Sequence, residues 1–142
     1  MAATLMRYIL PMIIATLLLS CFNSSTSFEK DYYERITGIK FPKDYEVLET
    51  FDNMEFLTGT VFKIDTVTLR SFVNRYNFQM LTELRDLQLV SVNYLRTYKP
   101  SFASTSNIFF IRESKEKNHW TYVADLNRGE LWAEIWYPDS GQ

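Results

Sequence analysis

Apolar residues in this chain fall into two regimes. Over Tyr8–Leu19 they form an almost unbroken run, whereas beyond Ser27 they recur at helix or strand spacing. Phe28, Tyr32, Tyr33 and Ile36 predict an amphipathic helix from Phe28 to Thr37. Ser27 is placed to cap it, Glu29 sits near its positive end, Gly38 supplies a stop and Pro42 forbids continuation. Tyr45 to Phe51 alternates and reads as a strand, Asp52-Asn53 as a turn, and Phe56 to Ile64, rich in β-branched and aromatic residues, as a second strand. These two strands predict a hairpin.

Asp65-Thr66 can cap a second helix, Val67 to Tyr76, with Leu69, Phe72, Val73 and Tyr76 on its apolar stripe, Arg70 and Arg75 toward water, and Asn77 as a stop. From Phe78 to Pro100 the pattern is ambiguous. Leu84, Leu87, Val90 (or Ser91), Tyr94 and Tyr98 give rough helical spacing behind Thr82, yet LQLVSVNYL reads equally as a strand. The expectation is a short helix or irregular segment, then extended chain to Pro100 and a loop over 101–107. The last third is clearer, with strands Ile108–Arg112, His119–Leu126 and Glu130–Tyr137. They are joined by a charged ESKEKN loop and by Asn127-Arg128-Gly129, a three-residue hairpin with Gly129 left-handed. Trp120, Tyr122 and Ala124 share one face, as do Leu131, Ala133, Ile135 and Tyr137, and Pro138 ends the sheet. The expected class is α+β: an antiparallel sheet of about five strands, an N-terminal hairpin plus a C-terminal meander, with one or two helices packed on one face.

Composition narrows the picture. A chain of 142 residues predicts one domain, here residues 28–142, and 46% hydrophobic content excludes a disordered tail. Three Trp, nine Tyr and eleven Phe give a domain this small enough ring area for a core. Fifteen basic against seventeen acidic residues provide no cationic field, so no nucleic-acid partner is expected.

The apolar run Tyr8–Leu19 is too short for a spanning helix, which needs about 20 residues. With Arg7 before it and small residues after it, the run reads as a secretory signal. Leu18 is bulky for an ordinary cleavage site; Leu18-Leu19-Ser20-Cys21 resembles instead the lipobox of bacterial lipoproteins. That resemblance implies removal of residues 1–20, a diacylglycerol on the Cys21 thiol and acylation of the new amine. Each buried acyl CH₂ contributes about 0.8 kcal/mol, and two or more chains hold a protein stably at a bilayer. Cys21 is the only cysteine in the chain, so a disulfide framework is excluded. Phe22 to Ser27 reads as a flexible tether, making 21–27 lipidated Cys plus tether. Phe22 rather than Asp after the cysteine favours the outer membrane in a host that has one. Asn23-Ser24-Ser25 fits a glycosylation sequon, which matters only if the lipobox reading fails. Without Arg7 the remaining chain has fourteen basic and seventeen acidic residues, a net charge of −3, so attraction to anionic headgroups is slight and the lipid would do the anchoring. Beyond the signal, the order of helix, Thr37-Gly38-Ile39-Lys40-Phe41-Pro42, hairpin, helix, meander and Tyr137-Pro138-Asp139 resembles small lipoproteins of the Bacteroides group. That resemblance brings no activity with it.

Candidate chemistry is sparse. Past Cys21 there is no thiol, and His119 is the only histidine; its place at the end of the charged loop predicts a solvated residue. No nucleophile-elbow, zinc-ligand, EF-hand or phosphate-cradling pattern occurs, so no metal, cofactor or catalytic residue is expected. Glu113, Lys115, Glu116 and Lys117 read as a solvated hairpin tip. One set stands out: Glu130, Trp132, Glu134 and Trp136 alternate along a strand and point the same way. Exposed, two indoles and two carboxylates could stack on a sugar, cleave a glycosidic bond or form a protein-binding hot spot. Alternatively, the indoles are placed for packing beneath a helix or the tether. The expected function is a non-enzymatic, lipid-anchored envelope protein that binds a protein partner, for instance as an inhibitor or immunity protein. The alternatives are an envelope glycan-binding or glycan-cleaving domain acting through Glu130, Trp132, Glu134 and Trp136, or a purely structural lipoprotein.

Overall fold

A computed structural model describes residues 27–53, 56–83, 87, 89–100 and 105–137. The signal segment, Cys21, the tether up to residue 26 and Pro138 lie outside the described residues.

The fold is α+β. Helix α1 spans Lys30–Thr37; strands β1 (Glu46–Asp52) and β2 (Leu57–Lys63) form the hairpin; helix α2 spans Thr66–Arg75. A two-residue strand β3 (Gln79–Met80) follows, then a single 3₁₀ turn at Ser91–Asn93, and the meander β4 (Ile108–Lys115), β5 (Asn118–Asp125) and β6 (Glu130–Trp136). The sheet is antiparallel, in the order β1-β2-β6-β5-β4-β3, so the hairpin docks on β6 and the meander lies centrally. The sixth strand beyond the expected five is β3, too short to announce itself by alternation.

Helix α1 starts later than its periodicity predicts. Glu29 holds the cap position, without a side-chain bond, and Ser27 and Phe28 precede the helix. Phe28 instead inserts its ring among Tyr33, Phe41, Tyr45 and Phe62, with centroids 4.7–5.8 Å away. The helix ends as expected at Gly38, left-handed at φ 74°, whose N–H donates to the Glu34 carbonyl. Helix α2 is capped by Asp65, whose carboxylate accepts the Val67 and Thr68 N–H groups at 3.1 and 2.9 Å.

The two helices cover one face of the sheet. Tyr33, Leu69, Phe72 and Val73 meet Phe62, Trp120, Tyr122, Ala124, Leu131, Ala133 and Ile135, the faces the sequence assigns to the core. Within this layer the Tyr33 hydroxyl lies 3.0 Å from Thr58 Oγ1 and 3.2 Å from Thr60 Oγ1, whereas the buried Trp120 Nε1 meets no hydrogen-bond partner among the described residues. Burial pushes the Tyr33 and Tyr122 hydroxyls well above the usual phenol range.

The opposite face is covered too. Residues 89–100 cross it as a strap, over a second apolar cluster of Val61, Leu81, Leu89, Leu95, Ile108, Val123 and Trp132. Of the short helix or irregular segment expected behind Thr82, the described residues 81–83, 87 and 89 carry no regular structure, and helical turn among the described residues of this stretch is confined to Ser91–Asn93. Positions 84–86 and 88 of that expected helix lie outside the described residues. The apolar spacing over this stretch thus serves a strap whose residues reach down onto the sheet singly.

Three contacts pin the strap. Ser91 lies over Gly59 so closely that an added Cβ on the glycine would meet Ser91 Cβ at 2.4 Å. Tyr94 stacks on Phe51, with ring centroids 4.6 Å apart and planes 9° from parallel. Glu49 accepts three consecutive backbone N–H groups, from Arg96 at 2.5 Å and from Thr97 and Tyr98 at 2.9 Å. Burial opposes ionisation of Glu49, but these three donors outweigh it and hold its carboxyl below the usual carboxylate range.

Candidate functional site

Register places side chains on the strap face in rows. Glu130 stands opposite Lys63 and Asp125, Trp132 opposite Val61 and Val123, Glu134 opposite Gly59 and Thr121, and Trp136 opposite Leu57 and His119. The next strand continues the rows, with Arg112 opposite Thr121 and Ser114 opposite His119. Glu130, Trp132, Glu134 and Trp136 therefore do share a face, as their alternation predicts, but each belongs to a different row and has a different fate.

Glu130 is 5% exposed, and its Oε1 pairs with Arg128 at 3.1 Å. Trp132 is 2% exposed and belongs to the apolar cluster under the strap. Glu134 is 5% exposed and accepts the Ser91 N–H at 2.6 Å, so it clamps the strap's 3₁₀ turn to the sheet. Only Trp136, at 41%, presents a large exposed surface. The open Trp/Glu strip is thus corrected: three of the four are buried, Trp132 and Glu134 beneath the strap and Glu130 beside Arg128. Nor do the two carboxylates face one another as an acid–base pair, since Glu130 is held by Arg128 and Glu134 by the strap.

What remains open is a groove of about 410 Å³ at the end of the strap face. Its floor is the grid formed by two rows: Glu134, Thr121 and Arg112 in one, Trp136, His119 and Ser114 in the other. Val90 of the strap, 36% exposed, forms a wall opposite Trp136. Arg112 Nε donates to Thr121 Oγ1 at 3.2 Å, and the His119 ring lies 6.3 Å from that of Trp136. Burial raises the Glu134 carboxyl above its ordinary range, countered in part by N–H donors at Ser91 and Val90, the Ser91 hydroxyl and the charge of Arg112.

His119 is exposed, as expected, and lies in β5, within the strand predicted from His119 to Leu126, although the charged connection before it is shorter than it reads. Strand β4 runs to Lys115 and the turn is only Glu116-Lys117, with Glu116 left-handed at φ 58°. Glu113, Lys115, Glu116 and Lys117 are all exposed, but the first two are strand residues. Reading ESKEKN as a loop hid Ser114 as the ladder partner of His119. Gly59 within a β-branched strand was the available signal that another segment approaches there. Among the described residues no group of three or more His, Cys, Asp or Glu is arranged to hold a metal ion. Cys21, the lipidation candidate, lies outside the described residues, and no described helix is long and apolar enough to cross a membrane.

No family model matches the chain, and comparison with curated proteins and with solved structures likewise gives no match.

Proposed function

We propose that this chain is a lipid-tethered, non-enzymatic binding protein of a bacterial cell envelope, and that it recognises its ligand in the groove beside Trp136. One observation carries the choice of site. Of the three tryptophans, Trp120 and Trp132 are buried in the two apolar layers, while Trp136 offers two-fifths of its surface at a concave, polar groove. A large ring left partly in water beside a pocket is a recurrent feature of recognition sites. The tether rests on Leu18-Leu19-Ser20-Cys21 and the apolar run before it.

Two measurements in cells test this reading. Cys21→Ser should move the protein from the membrane fraction to the soluble fraction; fractionation unchanged from wild type would remove the tether. A photo-crosslinking amino acid at position 136 should give a covalent adduct. The same probe at Val67, 77% exposed on α2 and remote from the groove, should give none. Equal adduct formation at both positions, or none at 136, would remove the site.

A further inference from the structure

We infer that the ligand of this groove is a neutral saccharide, with a pyranose ring laid against the Trp136 indole. This rests on the binding-protein reading above and names the ligand class of the same site. Size sets the first limit. About 410 Å³ lies in the lower part of the range for small-molecule sites, about 300–1,000 Å³, and excludes an inserted helix.

Charge sets the second. One guanidinium (Arg112) and one imidazole (His119) share the groove with two carboxylates, Glu113 and Glu134. Such a lining has no net cationic field to hold a phosphate or carboxylate ligand, and among the described residues no three His, Cys, Asp or Glu side chains are arranged to hold a metal ion.

Polarity sets the third. Ser114 and Thr121 contribute hydroxyls that donate and accept, Arg112 donates, and the carboxylates accept. A ligand bearing hydroxyls, each both donor and acceptor, matches this floor. An apolar ligand would take this floor out of water and offer its hydroxyls, guanidinium and carboxylates no hydrogen bond in return. Trp136 and Val90 contribute exposed apolar surface beside this floor. A pyranose has the corresponding two-sided character: its C–H face is apolar, its rim carries hydroxyls, and equatorial substituents leave that face flat enough to stack. The β-linked gluco-configured sugars have this geometry. A docked protein surface would need a wider water-excluded apolar centre than one indole and one valine provide.

The test uses the full chain purified from membranes in detergent, titrated with β-1,4-linked oligomers of glucose and of N-acetylglucosamine. An alternating tetrapeptide and inorganic phosphate serve as comparison ligands. Titration calorimetry reads wild type and variants alike, and a shift of the Trp136 indole N–H resonance in the wild-type protein places the sugar beside that exposed ring. A saturable response to at least one β-linked oligomer is expected. Trp136→Ala should weaken it at least about tenfold and Trp136→Phe, which keeps a ring, by less. Both replace an exposed side chain, and unchanged far-UV circular dichroism checks that they fold. No saturable response to any sugar up to about 10 mM, well above the Kd of weak specific ligands, would overturn the inference. So would a response that survives Trp136→Ala, or saturation by the peptide or by phosphate alone. If the sugars fail while the probe at position 136 still forms an adduct in cells, the saccharide is wrong and the groove stands. If both fail, the site itself is wrong.

Discussion

Replacing Gly59 by alanine should unseat the strap. The new Cβ would lie 2.4 Å from Ser91 Cβ and 2.7 Å from Ser91 Oγ, distances that real methyl groups do not tolerate. β2 is held between β1 and β6 by ladders on both sides, so the strap is the part that must yield. Overpacking of this kind costs about 1–3 kcal/mol, and the entropy that alanine saves relative to glycine in a strand offsets about 0.5–1 kcal/mol of it. The expected net loss is about 1–2 kcal/mol, and for a domain near 100 residues each kcal/mol lowers Tm by about 4–8 °C. Urea denaturation gives the stability, and hydrogen exchange at the Ser91 amide, whose N–H is held by Glu134, reports whether the strap has lifted. Ser91→Gly removes both atoms the methyl would meet, at the cost of the serine hydroxyl's bond to Glu134. The double variant should therefore lose less than the sum of the single variants. A Gly59→Ala protein as stable as wild type, with an equally protected Ser91 amide, would refute the close approach as the reason for the glycine.

Two further expectations concern the clamps. Glu49→Ala leaves three strap N–H groups without their acceptor and should destabilise by about 1–3 kcal/mol at neutral pH. Its folded carboxyl is held below its unfolded value, so its contribution is present above the ordinary Glu range and lost as pH falls through the folded value; urea midpoints of wild type and variant should converge as pH is lowered beneath the ordinary Glu range. Glu134 has the opposite sign. Its carboxyl is raised in the fold by burial, so its contribution is fully present below the unfolded value and declines as pH rises through the folded one. Glu134→Gln, which keeps an acceptor for Ser91, should flatten the decline in stability as pH rises above the ordinary Glu range, and a profile that tracks wild type would contradict the assignment.

The helix layer was legible because its apolar residues recur at a regular period. Leu69, Phe72 and Val73 repeat at helical spacing beneath an Asp65 cap, and Trp120, Tyr122 and Ala124 alternate with residues of another kind. β6 resisted the same logic. Both of its faces are buried, so its two sets of residues carry no contrast of exposure, and Glu130 and Glu134 looked solvated because nothing local reveals a strap or a neighbouring arginine. The strap was illegible for the converse reason. Its apolar residues answer to a surface set by strands far away in the chain, so neither a 3.6- nor a 2-residue period survives in it. The groove inherits this opacity: Arg112, Thr121, His119 and Val90 meet only through register and the strap, although Trp136 was singled out from alternation alone.

Phe28, locked into an aromatic nest on the helix layer, fixes where the chain's leading end enters the folded unit. With a lipid on Cys21, six residues would separate the bilayer from that entry point, a leash of roughly 20 Å at full stretch. The groove opens on the far side of the sheet. So short a leash would turn the helices toward the lipid surface and leave Trp136 looking outward, available to whatever occupies the space beyond the membrane.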